Sequence, residues 1–311
     1  MLRGGCLPGK NKHTYQIQFI VTMETPRRIA ISGASGFIGS HLSRFLTEKG
    51  YEVVPLSRQH FQPAAFRQLT EIVAGCEGVI NLAGAPIIKR WSKSYKKELI
   101  SSRVQPTRAL TEAISQVAEK PSVFVSASAV GYYPARGCFD EHNSRKGDSF
   151  LSEVCEQWEK EALRASGVVR TVITRFGIVL ATDGGAFGKL ALPARIGVSA
   201  WFSPGDQYLC WIALTDLMRA MEFVTDTADI EGVVNFVAPQ LLTNKQFCQF
   251  VGAHYRARVP FKIPGSLLKL AMGEAAVSLM EGQCVRPARL TEQGFSFGIP
   301  DLQHFLCTLG T

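Results

Sequence analysis

The sequence predicts an α/β fold: a Rossmann-type, doubly wound parallel sheet with a small, mainly helical C-terminal region. Three observations carry this. Strand-like and helix-like patterns alternate from Arg28 onward, as crossover connections between parallel strands require. The turn Gly33-Ala34-Ser35-Gly36-Phe37-Ile38-Gly39 follows the apolar run Ile29-Ala30-Ile31 and leads into the helical pattern Ser40-His41-Leu42-Ser43-Arg44-Phe45-Leu46. Strand, glycine turn and helix in that order let backbone N–H groups and a helix start approach a pyrophosphate. Most polar motifs also fall just after apolar runs, where ligands of such sheets bind.

Taken in order, the first strand is read at Arg28 to Ser32. A helix follows to about Lys49, with Gly50 as its stop. Tyr51 to Leu56 reads as the second strand, Phe66 to Val73 as a short helix, and Gly78 to Leu82 as the third strand. A long helical region runs from Ser92 to Val117, and Pro106 predicts a kink or break in it. Ser122 to Ser126 is the fourth strand, Phe150 to Ala165 a helix, and Val168 to Arg175 the fifth strand. The Gly-, Pro- and aromatic-rich segment from Ala186 to Leu209 reads as an excursion over a pocket. A helix from Leu214 to Thr225 and a strand from Val233 to Val237 follow. The remainder holds a helix from Leu267 to Met280 and a short helical tail.

The 311 residues, 46% hydrophobic, suit one large α/β domain with a smaller appendage. The expected division is an N-terminal flexible extension (1–24), a dinucleotide-binding Rossmann domain with substrate-pocket insertions (25–259) and a small helical domain (260–311). Residues 1 to 22 contain Arg and Lys but no acid, and Met23 precedes a normal domain start. A non-essential extension is favoured over a transit peptide. The formal net charge is +8, without a basic run interleaved with aromatics. It therefore reads as solubility plus affinity for an anionic small ligand, and no nucleic-acid partner is expected. No apolar run is long enough to span a bilayer, so no membrane partner is expected, and the scattered cysteines point to a cytoplasmic protein. The 8 cysteines form no Cys-x-x-Cys pair. They read as reduced, mostly buried thiols rather than a disulfide framework or zinc site. The histidines are dispersed, and no metal site is expected.

Ser57-Arg58 follows the second strand. An acid there would hold a ribose 2′-hydroxyl, whereas the planar fork of Arg58 suits a 2′-phosphate. NADP is therefore predicted over NAD. Asn81-Leu82-Ala83-Gly84-Ala85-Pro86 ends the third strand with small residues that let backbone approach the adenosine half of a cofactor. The fourth strand ends in Ser126-Ala127-Ser128-Ala129-Val130-Gly131-Tyr132-Tyr133-Pro134. Ser128 suits a hydrogen bond to a substrate hydroxyl or carbonyl. Tyr132 and Tyr133 suit proton donation or the wall of an apolar pocket, with plain core packing as the alternative.

These residues in this order resemble the extended short-chain dehydrogenase/reductase superfamily, and more narrowly the YfcH-like epimerase-family proteins. The resemblance runs from about Arg27 to the C-terminus. It includes Lys89-Arg90-Trp91, Ser102-Arg103-Val104, Gly131-Tyr132-Tyr133, Asp183-Gly184-Gly185, Gln207, Trp211-Ile212 and Asp216. Leu279-Met280-Glu281-Gly282-Gln283, Pro287 and Arg289-Leu290 resemble that group's C-terminal domain. The resemblance implies that Gly33, Ser35, Gly36, Phe37, Ile38 and Gly39 face a pyrophosphate. It implies that Ser57 and Arg58 meet the adenosine phosphate, and that Leu82, Ala83 and Gly84 line the adenine and its ribose. Glu98, Arg103 and Val179 match further cofactor positions. For Glu98 and Arg103 the alternative is a helix-surface salt bridge. The resemblance leaves a homodimer open.

The superfamily's hydride chemistry uses a Tyr-x-x-x-Lys pair, in which the lysine charge lowers the phenol's pKa. No Tyr-x-x-x-Lys occurs in this sequence, a lack the YfcH-like group shares. Aligned on Trp158-Glu159, Leu151 takes the tyrosine slot and Cys155 the lysine slot. Ala85, Ala213 and the segment Ile196 to Trp201 depart from that group as well; Glu153 and Glu156 on the next helix are candidate general bases, with a solvated helix face as the favoured alternative. Two functions follow. One is an NADP-dependent oxidoreductase or epimerase of atypical mechanism on a small hydroxyl or carbonyl compound, with Ser128 and Tyr132 or Tyr133 as its catalytic groups. The other is a non-catalytic cofactor-binding or redox-sensing interaction protein.

Overall fold

The computed structural model describes residues 26–310; the extension expected at 1–24 lies outside them. The chain runs β1 (Arg28–Ser32), α1 (Phe37–Glu48), β2 (Glu52–Leu56), α2 (Phe66–Ala74), β3 (Gly78–Asn81), α3 (Lys93–Gln116), β4 (Val123–Ala129), β5 (Cys138–Phe139), α4 (Phe150–Leu163) and β6 (Arg170–Phe176). It continues through β7 (Ile178–Leu180), α5 (Phe187–Arg195), β8 (Val198–Phe202), β9 (Trp211–Ala213), α6 (Leu214–Asp226), β10 (Gly232–Phe236) and α7 (Asn244–His254). The C-terminal region holds β11 (Val259–Ile263), α8 (Gly265–Met272), α9 (Ala275–Met280), β12 (Cys284–Val285), α10 (Ala288–Glu292) and α11 (Leu302–Cys307).

Six parallel strands form the central sheet in the order β10-β6-β4-β3-β1-β2. The chain leaves β1 in opposite directions toward β2 and β3, so the switch point lies at the carboxyl ends of β1 and β3. Both sheet faces are covered, because alternate residues of a strand point to opposite sides. Ile29 and Ile31 pack with Leu42 and Leu46 of α1 and Leu217 and Met221 of α6. Ala30 packs with Leu69 and Val73 of α2 and Leu110 and Ile114 of α3 on the other side. No described helix is long and apolar enough to cross a membrane.

Four expectations need correction. Pro106 does not break α3, which runs unbroken for 24 residues. Its buried positions Leu99, Arg103, Thr107, Leu110 and Ile114 hold it against the body of the protein, which outweighs the ~3 kcal/mol cost of an internal proline. The helix expected from Leu267 to Met280 is divided into α8 and α9 at Gly273, whose φ of 63° a right-handed helix cannot accept. The segment read as an excursion contains α5, which buries Phe187, Ala191 and Ala194, and β8. β8 pairs with β11, more than fifty positions later, a contact that no local pattern encodes.

The fourth correction concerns the cysteines. Cys138 and Cys284, separated by 146 positions, form a disulfide. It lies where β5 pairs with β12, so it fastens the loop after β4 to the C-terminal region. The other described cysteines are free thiols: Cys76, Cys155, Cys210 and Cys248 are buried and Cys307 is exposed. Beside the bridge, the Cys210 thiol donates to Gln283 O (2.9 Å) and accepts from Val285 N (3.3 Å). Burial pushes it up to about 12. Glu141 accepts from Asn235 N (2.7 Å) and Ala288 N (3.0 Å). Asp216 is buried on α6 and accepts from Gly298 N and Ile299 N (2.9 and 2.8 Å). The C-terminal region is thus stitched to the sheet by a covalent bond, short strands and two carboxylates. The division expected at 259/260 falls inside β11.

Removing the bridge by Cys138→Ser or by reductant is expected to cost about 2–4 kcal/mol of unfolding free energy. This should be read as a lower urea midpoint; an unchanged midpoint would refute a formed bridge. Burial holds the Glu141 carboxyl above its ordinary range despite the N–H groups it accepts. A raised carboxyl favours folding most below its unfolded pKa, and that contribution fades as pH rises through the folded pKa. The stability difference between wild type and Glu141→Gln should therefore decline with rising pH just above the normal carboxylate range. A difference that grew with pH would contradict the assignment.

Candidate functional site

The carboxyl ends of β1, β3 and β4 are locked together by buried polar groups. Ser32 Oγ donates to Asn81 Oδ1 (2.5 Å), and Asn81 Nδ2 donates to Thr107 Oγ1 (2.7 Å) and Ser126 Oγ (3.3 Å). The glycine turn stands on this platform. Gly33 has a φ of 71°, and a Cβ there would lie 2.7 Å from Leu82 O. A Cβ on Gly39 would lie 2.1 Å from Gly33 O. Gly36 N donates to Gly33 O (2.9 Å) and closes the turn. Gly36 is also the N-cap of α1, and no side chain caps it. The first N–H groups of a twelve-residue helix therefore point outward at the switch point without a side-chain acceptor. The turn and Leu82-Ala83 lie against each other. Ser35 and Gly36 are exposed, and Phe37 and Ile38 are half-buried beside them.

The loop at Asp183 closes one side. The Phe37 ring lies where a Cβ on Gly184 or Gly185 would be 2.9 Å away. His41 Nε2 is 2.9 Å from Asp183 Oδ2. Val179 sits half-buried on β7, paired with Ile212 of β9. On the other side, Ser57 and Arg58 follow β2 and are exposed. Ser57 N donates to His60 Nδ1 (2.9 Å), which tightens the turn. Arg58 forms no ion pair among the described residues.

Arg103 and Glu98 do not form the surface salt bridge that was the alternative for them. Glu98 is exposed, whereas Arg103 is only 6% exposed. Arg103 donates to Leu99 O and Ala85 O, each at 3.0 Å, and lies over the Trp158 ring (5.2 Å). It lies directly under Gly84, where a Cβ would come within 3.0 Å of the guanidinium carbon. Among the described residues no carboxylate faces it, and burial lowers its pKa. The Trp158 Nε1 donor beside it has no hydrogen-bond partner among the described residues.

The hydroxyls at the end of β4 have different fates. Ser128 is buried and donates to Glu159 Oε1 (2.5 Å). Glu159 accepts two parallel bonds from Arg175 at 2.8 and 2.7 Å, the bidentate geometry of a strong pair. Burial pulls Arg175 down, but the bonds and charge of Glu159 more than offset this and raise it. Tyr133 is buried, and its hydroxyl donates to Asn235 Oδ1 (2.9 Å). Burial raises its pKa, with Arg175 acting in the opposite sense. Tyr132 is half-buried with its ring 3.5 Å from the Arg175 guanidinium carbon. Its hydroxyl makes no hydrogen bond among the described residues. The structure thus brings Ser128, Tyr132 and Tyr133 together, but commits two of the three hydroxyls to internal partners.

Glu159 and Arg175 escaped the sequence reading as site residues. Their signals were faint: an acid on the apolar face of α4 shared with Cys155 and Trp158, and an arginine within a buried strand. In the slot aligned with the lysine, the Cys155 thiol donates to Ala129 O (3.6 Å), and burial pushes it up to about 11. It supplies no positive charge. Leu151 packs against Gly131. Glu153 and Glu156 are exposed, and Glu156 accepts from Lys146 (2.5 Å). No group of three or more His, Cys, Asp or Glu that could hold a metal occurs among the described residues.

Comparison with known proteins agrees with this geometry. The profile of the NAD dependent epimerase/dehydratase family matches residues 29–235. That of a domain of unknown function, DUF1731, matches residues 263–309. Human epimerase family protein SDR39U1 is 32% identical over 286 residues, covering 88% of this chain and 97% of the human protein. Its chloroplastic homolog from Arabidopsis thaliana is 34% identical over 292 residues, covering 88% and 84%. The crystal structure of the human protein (isoform 2) with NADPH matches at a TM-score of 0.83, covering 91% of this chain and 98% of that one at 32% identity. The nucleoside-diphosphate sugar epimerase of Corynebacterium glutamicum matches at 0.73 and 28% identity, covering 92% of this chain and 59% of that one.

Glu159→Ala would leave the Arg175 guanidinium buried without a counter-charge. It is expected to cost about 3–5 kcal/mol of stability by chemical denaturation. A loss below about 1 kcal/mol, the scale of an exposed pair, would show that this ion pair does not organise the end of β4.

Proposed function

The chain belongs to the NAD dependent epimerase/dehydratase family, and on that footing we propose that it binds NADP(H) and acts as an atypical oxidoreductase or epimerase on a small hydroxyl or carbonyl compound. The observation that carries this is the uncapped glycine turn at the switch point. There a Cβ on Gly33 or Gly39 would collide with backbone, and helix N–H groups point outward. Gly33, Ser35, Gly36, Phe37, Ile38 and Gly39 would hold the pyrophosphate, and Leu82, Ala83 and Gly84 the adenosine. Ser57 and Arg58 would take the 2′-phosphate, while Glu98, Arg103 and Val179 complete the cleft. The NADPH in the crystal structure of the human relative supports the same choice of coenzyme.

When bound, the nicotinamide supplies or accepts a hydride. The proton falls to this chain's own groups. Tyr133 is held by Asn235, so Tyr132, whose ring lies against the Arg175 guanidinium and whose hydroxyl is unengaged among the described residues, is the phenol that gives or takes it. Ser128 spends its proton on Glu159 but keeps lone pairs with which to accept from a substrate hydroxyl. A second reading, cofactor binding without turnover, draws on Cys155, which leaves the lysine slot uncharged.

Fluorescence titration with NADPH and NADH separates the assignments. Arg58→Ala is expected to weaken NADPH by about 10- to 100-fold, the worth of a charge-assisted hydrogen bond, and to leave NADH nearly unchanged; equal losses would refute the 2′-phosphate assignment. With a library of small carbonyl compounds, NADPH consumption that vanishes in Tyr132→Phe supports the enzyme. Tight binding with no consumption of any compound supports the second reading.

A further inference from the structure

We propose that the strip formed by the end of α5, β11 and α8 docks this protein onto an anionic lipid surface. Residues 184–205 and 232–273 contain seven lysines and arginines and no aspartate or glutamate. Those seven nearly equal the formal excess of +8 for the whole chain. They are Lys189, Arg195, Lys245, Arg256, Arg258, Lys262 and Lys269, all exposed. None forms an ion pair among the described residues. Elsewhere some surface cations do pair with acids, as Arg27 does with Glu77 and Arg108 with Glu161.

The same two segments carry most of the large apolar side chains left in solvent. Leu192 and Ile196 stand one turn apart at the end of α5, and Ile196 is 74% exposed. Gly197 O accepts from Arg258 N and Val259 N (3.1 and 3.2 Å), which joins this end to β11. Val259 and Phe261, two apart on β11, are both exposed. β11 has β8 as its single sheet neighbour. Two residues further on, α8 presents Leu267 and Leu270, the latter 74% exposed. Apolar side chains set among unpaired cations are the signature of a surface that lies on lipid. The apolar groups enter the acyl boundary, and lysine and arginine stems snorkel to anionic headgroups. A surface of this kind needs no membrane-spanning run.

The charge argues against a second copy as the occupant. A symmetric dimer through this strip would set cations against the same cations. The apolar groups also project singly from a helix end, an edge strand and a second helix, which suits partial insertion into a soft interface.

The test is co-sedimentation of the full-length chain with vesicles of phosphatidylcholine alone and of phosphatidylcholine mixed with phosphatidylglycerol. Binding to the mixed vesicles that added salt weakens, with little binding to the neutral ones, is expected. Lys262→Ser should lower the partition coefficient about fivefold, the worth of one cation at such a surface (about 1 kcal/mol). The pair Ile196→Ser and Leu270→Ser should abolish binding with the unfolding midpoint unchanged. Since all of these side chains are exposed, the variants are expected to fold. Three results would overturn the proposal. One is equal binding to both vesicle types or to neither. Another is vesicle binding that none of these substitutions alters. The last is a dimer in sedimentation velocity that the Ile196 and Leu270 substitutions dissolve, or capture by a polyglutamate peptide instead of by lipid.

Discussion

The close approach of two backbone turns governs the candidate site. Gly33 turns with a positive φ against the Leu82 carbonyl, and neither residue interposes a side chain. The approach holds because Ser32 and Asn81, the last residues of two adjacent strands, are bonded to each other beneath it. That bond is buried and shared onward with Thr107 and Ser126, so four elements set the height of the turn. A glycine loop on a surface hairpin would have the same sequence freedom but no such platform. Here the platform fixes where the start of α1 points, and everything assigned to an anion follows from that direction.

Local information explains what the sequence made legible. β1, the glycine turn and α1 are contiguous, and each is specified by its own neighbours: an apolar run, small residues, then a 3.6-residue period. The same holds for β3 and the backbone of Leu82 to Gly84. The pairing of β8 with β11 depends on residues far apart, and β11 exposes four of its five residues, so it has no alternation to read. α7 did carry a local sign, the reciprocal cap between Thr243 and Gln246, which the apolar pattern alone does not reveal. Cys138 and Cys284 have no spacing signature, because the contact of β5 with β12 creates their proximity.

The polar groups of the site were legible as residues and not as bonds. Ser128, Tyr132 and Tyr133 fall at one strand end because β4 ends there, and that much follows from order. Whether a hydroxyl there faces a ligand depends on its neighbours in β6, β10 and α4. Glu159 and Asn235 reach two of the three first. Burial makes those bonds obligatory, since an unpaired polar group at this depth would cost more than the bond returns. Tyr132 is spared by its half-exposed position and by a cation against its ring.

Two buried guanidiniums flank this region, and their contrast bears on what the site can hold. Arg175 is neutralised by Glu159 in a bidentate pair, so its charge is spent within the protein. Arg103 has two carbonyl oxygens and an aromatic face but no acid, and burial disfavours its charged form. A protein seldom leaves a buried cation in that condition without some return, because the desolvation cost of the ion is several kcal/mol. The anionic groups of a dinucleotide bound in this cleft would offset part of it, and binding to the folded state alone would add that gain to stability. On the proposed mode of binding, the sheet end is incomplete on its own. The glycine turn provides donors from one side and Arg103 provides charge from beneath, and a single anionic ligand satisfies both.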